Sequence, residues 1–164
     1  MYTYYKNEIL GVNLLNVLII EDDPNKAKQL NEFFSNIKDV KLITSKKSYK
    51  TGLKEIFRSK YHFLVLDMSM PTFDISTEAG GGKVMHFGGK EILRQLRRKK
   101  VSIPTVVVTQ FESFGEEKKM TLDKLKEELQ LEFSDNYIKT IYYNPAGIEW
   151  KHELQDVVDN FGVK

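Results

Sequence analysis

The chain has 164 residues, enough for one domain with a sizeable core. Its 25 basic and 23 acidic residues leave a formal charge of +2, so nothing global points to nucleic acid or to an anionic membrane. Cysteine is absent, which excludes disulfides, thiolate metal sites and cysteine nucleophiles and fits a reducing compartment.

Residues 1–13 read as a tyrosine-rich N-terminal extension, and residues 14–164 as the domain proper. The apolar stretch Val12 to Ile20 is too short to span a bilayer and is interrupted by Asn13 and Asn16. No positive segment feeds it, so neither a signal peptide nor membrane insertion is expected, and the expected location is the cytoplasm. Val17-Leu18-Ile19-Ile20 has the apolar character of a parallel strand covered on both faces. Asp23 and Pro24 then make an N-cap and N1 pair, before Ala27, Leu30, Phe33, Phe34 and Ile37 at helical spacing. Val40 to Thr44 is a second strand, and Ser48 caps a helix carrying Leu53, Ile56 and Phe57. Phe63 to Leu66 is the third strand and ends in an acid, Asp67.

From Pro71 to Gly89 the sequence lacks periodicity and is read as a long glycine-rich loop. A helix with Ile92, Leu93 and Leu96 follows, its last turn carrying the basic run Arg97 to Lys100 where cations complement the dipole. Pro104 to Thr109 holds the fourth strand. An extended connection, 111–136, carries a helix from about Thr121 to Phe133. Tyr137 to Tyr143 is the fifth strand, and a last helix runs from about Glu149 to Asn160 with Trp150 on its inner side. Strands alternating with helices predict an open parallel α/β sheet with right-handed crossovers. Ligands then bind at the carboxyl ends of the strands.

That end is where Glu21, Asp22 and Asp67 fall. Converging carboxylates need compensation, and a hard divalent cation such as Mg²⁺ supplies it with carboxylate, water and phosphate oxygens. With Thr109 ending the neighbouring strand, the set suits a carboxylate that attacks a phosphoryl group to form an acyl phosphate. "VLIIEDDPNKAKQLNEFF", "FLVLDMSMP" and "PTVVVTQ" together resemble the receiver domain of two-component response regulators, over about residues 15–162 apart from the two long connections. The resemblance implies a doubly wound, five-stranded parallel sheet in a flavodoxin-like three-layer sandwich. It also implies that Glu21 and Asp22 hold Mg²⁺ and that Asp67 accepts a phosphoryl group from a histidine kinase or phosphotransfer protein. The Ser69 carbonyl would complete the metal site, and Thr109 would be the switch hydroxyl.

Two positions depart from the family pattern. Receivers place a lysine before proline at the end of strand five, and here "IYYNPAG" puts Asn144 before Pro145. The usual switch aromatic falls on Ile141. Lys139, in an alternative register built on "NYIKT", or Lys83 or Lys90 from the glycine-rich loop, are the other candidates for the missing cation.

"AGGGKV" fails the phosphate-loop pattern, because Thr77 and Val84 stand where glycine and a hydroxyl residue belong. His62, His86 and His152 lack ligand spacing, and Phe111 and Phe114 read as packing beneath their loop.

The expectation is a stand-alone phosphoacceptor that signals through a downstream protein partner. It is not a metabolic enzyme, has no nucleic-acid partner, and leaves room for a homodimer. The competing expectation is a pseudo-receiver, a phosphorylation-independent interaction module on the same fold. A related phosphohydrolase would need a second acid where Ser69 stands.

Overall fold

The computed structural model describes residues 14–76, 82–114 and 119–161; the N-terminal extension lies outside them, as does part of the glycine-rich segment. In chain order, β1 (Leu15–Ile20) leads to α1 (Pro24–Ser35), β2 (Val40–Lys46), α2 (Tyr49–Arg58) and β3 (Phe63–Leu66). A short ribbon, β4 (Met70–Pro71) with β5 (Val84–Met85), precedes α3 (Gly88–Arg98) and β6 (Thr105–Thr109). A second ribbon, β7 (Ser113–Phe114) with β8 (Met120–Thr121), precedes α4 (Leu122–Phe133), β9 (Tyr137–Tyr142) and α5 (Glu149–Phe161).

The five longer strands form one parallel sheet in the order β2-β1-β3-β6-β9. Chain direction across the sheet reverses at β1, so the crevice beside β1 and β3 is the topological switch point. Side chains alternate across the strands and build two apolar layers. Leu18, Ile20, Leu64, Leu66 and Val107 meet α2, α3 and α4 through Ile56, Ile92, Leu96, Leu125 and Leu129. Val17, Ile19, Phe63, Val65 and Val108 meet α1 and α5 through Leu30, Phe34, Trp150 and Leu154. The result is the expected doubly wound three-layer sandwich. Among the described residues no helix is long and apolar enough to cross a membrane.

Both helix caps read from the sequence are formed: Asp23 accepts from the Lys26 amide at 2.9 Å, and Ser48 from the Thr51 amide at 3.3 Å. The basic run does end its helix, with Arg97 donating to the Glu132 carbonyl at 2.8 Å and lying over the Phe133 ring. Three expectations are corrected. Phe57 is 47% exposed, because α2 buries Gly52, Glu55 and Ile56 and the next position points outward. The stretch 71–89 is not wholly loop: Met70 pairs with Met85 and Pro71 with Val84, and Thr72 bonds the Lys83 carbonyl through both its amide and its hydroxyl. Phe111 is 45% exposed rather than packed beneath its loop, while the Phe114 side chain lies outside the described part.

Candidate functional site: a buried carboxylate cluster with an internal lysine

Ile20 and Leu66 are register partners at the ends of β1 and β3, so Glu21 and Asp67 leave the sheet at one level. Backbone bonds hold them there: the Asp67 amide donates to the Ile20 carbonyl at 3.0 Å, and the Glu21 amide to the Lys46 carbonyl at 2.9 Å. Carboxylate oxygens of Glu21, Asp22 and Asp67 all lie within 4.8 Å of one another. Glu21 is 2% exposed and Asp67 4%, whereas Asp22 is half-buried at the rim.

A fourth group completes the cluster. Because Asp23 caps α1, the first turn of the helix carries Lys26 inward, and it is 1% exposed. Its ammonium nitrogen lies 2.5 Å from Glu21 Oε2 and 3.0 Å from Asp67 Oδ1. These two contacts engage at most two of the three N–H donors of the ammonium. The Tyr143 ring flanks Lys26 at 5.7 Å from centroid to nitrogen, and Trp150 packs on Tyr143 at 5.2 Å. The Tyr143 hydroxyl is buried without a hydrogen-bond partner among the described residues.

Burial dominates the electrostatics. It raises Glu21 to about 8, with the Asp67 charge adding to the rise and Lys26 opposing it. Burial also pushes Asp67 and Asp22 up, against the pull of Lys26. For Lys26 burial alone would depress the ammonium, but the charges of Asp67 and Glu21 outweigh it and hold the group above the ordinary lysine range. With all four groups ionised, three carboxylates face one ammonium. The oxygen-only donor set, with three carboxylates offset by a single ammonium, fits a hard divalent cation.

No protein-family model matches the chain. Among curated proteins it is similar to an uncharacterized protein of Sinorhizobium fredii, 26% identical over 144 residues, covering 87% of this chain and 95% of that one. It is also similar to the Detocs response regulatory protein DtcB of Enterobacter cloacae, 24% identical over 143 residues, covering 85% and 95%. Among solved structures, the receiver domain of the Francisella response regulator 1452 superposes with a TM-score of 0.60 at 22% identity, over 90% of this chain and 96% of that one. The fold is that of a response-regulator receiver domain.

Within the receiver fold, Thr109 is fully buried at the end of β6, adjacent to β3, and its hydroxyl accepts from the Phe111 amide at 3.3 Å. Ser69 lies half-buried in the bend after Asp67. Asn144 does not join the cluster. It is exposed, and its Oδ1 accepts from the Ala146 amide at 3.0 Å, so its side chain shapes the turn after β9.

The other cations considered are engaged elsewhere or exposed. Lys139 is inside β9 and pairs with Glu153 at 2.5 Å; with Ile141 and Tyr142 also in the strand, the alternative register fails. Lys90 pairs with Glu128 and Glu132 of α4. Lys83 is exposed on the ribbon. Ile141 is buried in the core. His62 accepts from the Asn16 amide through Nδ1 at 3.0 Å, while His86 and His152 are exposed.

Lys26 is the residue that sequence reasoning missed. It stands four residues before Leu30 and eight before Phe34, which places it on the buried face of α1 and was the signal available.

Proposed function

We propose that this domain accepts a phosphoryl group on Asp67 from a histidine kinase or phosphotransfer protein, in a cytoplasmic setting, and signals by protein contact. The carrying observation is the cluster of buried Glu21 and Asp67 with half-buried Asp22 at the switch point of a parallel sheet. A carboxylate there is backed by backbone bonds and shielded from bulk water, which favours its use as a nucleophile toward phosphorus. Glu21, Asp22, Asp67 and the Ser69 carbonyl would hold Mg²⁺, whose chemistry when bound is to neutralise charge on the transferring phosphoryl oxygens. Asp67 contributes the attacking oxygen. A bond from its carboxylate oxygen to phosphorus forms as the donor's phosphorus–nitrogen bond breaks, and the freed imidazole leaves with the donor protein. Thr109, beside it on β6, is placed to accept a new hydrogen-bonding role once Asp67 carries phosphate. Such a domain acts on itself and is not a catalyst for a metabolite.

The test is intact mass after incubation with Mg²⁺ and acetyl phosphate, run beside Asp67→Asn and beside an EDTA control. One added phosphoryl group, lost in the variant and without metal, is the expected outcome. Absence of labelling together with absence of Mg²⁺-dependent beryllofluoride binding would refute the reading. It would favour instead the phosphorylation-independent interaction module, for which the specific observation is that Lys26 already neutralises part of the cluster.

A further inference from the structure

Resting on the phosphoacceptor reading, we infer that Lys26 is the cation that engages the phosphoryl group on Asp67, acting from the first turn of α1 in place of any cation at the end of the fifth strand. The argument begins with charge. With acetyl phosphate as donor, the Asp67 carboxylate oxygen bonds to phosphorus while the bond from phosphorus to the acetyl oxygen breaks, and acetate leaves without any proton transfer. Asp67 thereby changes from a monoanion to an acyl phosphate dianion, so the cluster gains one negative charge in a buried place. A second cation-bearing contact is needed there, beyond a metal shared by three carboxylates.

Geometry selects Lys26. It is the one fully buried lysine among the described residues, and its ammonium already lies 3.0 Å from Asp67 Oδ1. Its two ion pairs occupy two of three N–H donors, which leaves one for a new oxygen attached at that carboxylate, and the contact to Asp67 Oδ1 itself can pass to a phosphoryl oxygen. The rivals are fixed elsewhere: Lys90 on Glu128 and Glu132, Lys139 on Glu153, and Asn144 in its own turn. Tyr143 closes the side of the pocket next to Lys26, so the ammonium is confined near the reacting oxygen. A lysine present merely to offset buried carboxylates would share the burial and the ion pairs; the two roles differ in what happens when phosphate arrives.

The deciding experiment titrates beryllofluoride, a phosphoryl mimic, into the full chain at saturating Mg²⁺. Fluorescence of Trp150 is the readout, since it is the sole tryptophan and packs against the tyrosine that flanks Lys26. The variants are Lys26→Met, Lys26→Arg, and Lys26→Met combined with Asn144→Lys, each checked for folding by thermal melting in the same buffer. Loss of a charge-assisted contact predicts affinity weaker by roughly tenfold or more for Lys26→Met, with recovery in Lys26→Arg or on returning a lysine to the fifth strand. Unchanged affinity in a folded Lys26→Met overturns the inference while leaving the phosphoacceptor reading intact. No binding by the unaltered chain brings down both. Should Lys26→Met fail to fold, the unaltered protein decides by NMR: beryllofluoride is expected to shift the Lys26 ε-methylene resonance, and an unmoved resonance overturns the inference.

Discussion

Gly88 and Gly89 open α3 side by side, and the structure predicts opposite tolerance to a methyl group. A Cβ on Gly89 would stand 2.4 Å from the Asp67 carbonyl oxygen and 3.1 Å from the Met68 Cα, both backbone atoms. A Cβ on Gly88 would meet the Met70 Cγ at 2.8 Å and the Met85 Cβ at 3.3 Å, side-chain rather than backbone atoms, so that repacking of Met70 relieves part of the clash. Replacing glycine by alanine in a helix gains up to about 1 kcal/mol. Overpacking against groups that cannot yield costs about 1–3 kcal/mol or more. At Gly88 the two terms oppose each other, so Gly88→Ala should cost at most about 1 kcal/mol. At Gly89 the clash also strains the hydrogen bond from its amide to the Met68 carbonyl, which is 3.0 Å long. Gly89→Ala should therefore lose about 1–3 kcal/mol net and displace the backbone that carries Asp67. Urea unfolding with an unchanged slope measures the first effect, and the rate of labelling by acetyl phosphate the second. A Gly89→Ala protein as stable as Gly88→Ala, labelled at the parent rate, would refute the reasoning.

Two further predictions concern stability. Glu21 in the folded protein titrates near 8, above the ordinary range of the unfolded chain, so folding retains a proton that unfolding releases as pH rises. Metal-free protein should accordingly lose stability progressively from about pH 4.5 to about pH 8, and Mg²⁺ should flatten that slope by replacing the proton. Urea melts in EDTA that are flat or rising over this interval would contradict it. Asn136 is buried, accepting from the Ile103 amide at 2.7 Å through Oδ1 while its carbonyl accepts from the Thr105 amide at 2.7 Å. Asn136→Ala strands a buried donor and should cost about 1–3 kcal/mol, read as a lower denaturation midpoint.

The parallel sheet was legible because its central strands are apolar runs that end where charge begins. Phe63 to Leu66 was read with the bounds the structure shows, and the caps at Asp23 and Ser48 announced their helices through side-chain chemistry alone. The carboxylate trio was legible for a topological reason, since strands that neighbour each other in a parallel sheet deliver their carboxyl ends together. The β4–β5 and β7–β8 ribbons were not, because strands of two residues have no period to detect. Phe57 misled because hydrophobicity was taken for burial without following the helix face set by Gly52, Glu55 and Ile56. Lys26 was hidden by the reverse habit. A lysine in a first helical turn reads as a solvated charge, and the missing cation was sought on strand five and the glycine-rich loop, but not on α1.

The cap of α1 has a role larger than beginning a helix. Leu30 and Phe34, four and eight residues on, fix the face on which Lys26 lies, and the cap ensures that the chain is already helical at residue 26, so that this face extends to the sheet's carboxyl end. The bond from the Lys26 amide to Asp23 thus works as an index mark, converting a local turn preference into the placement of a charge beside Asp67. Glu21, Asp22 and Asp23 are consecutive in the chain but divide the labour: the first is paired, the second faces the rim and the third starts the helix. An inserted residue between Glu21 and Asp23 would leave every one of these side chains in place and still alter the span between the carboxylates of the strand and the ammonium of the helix.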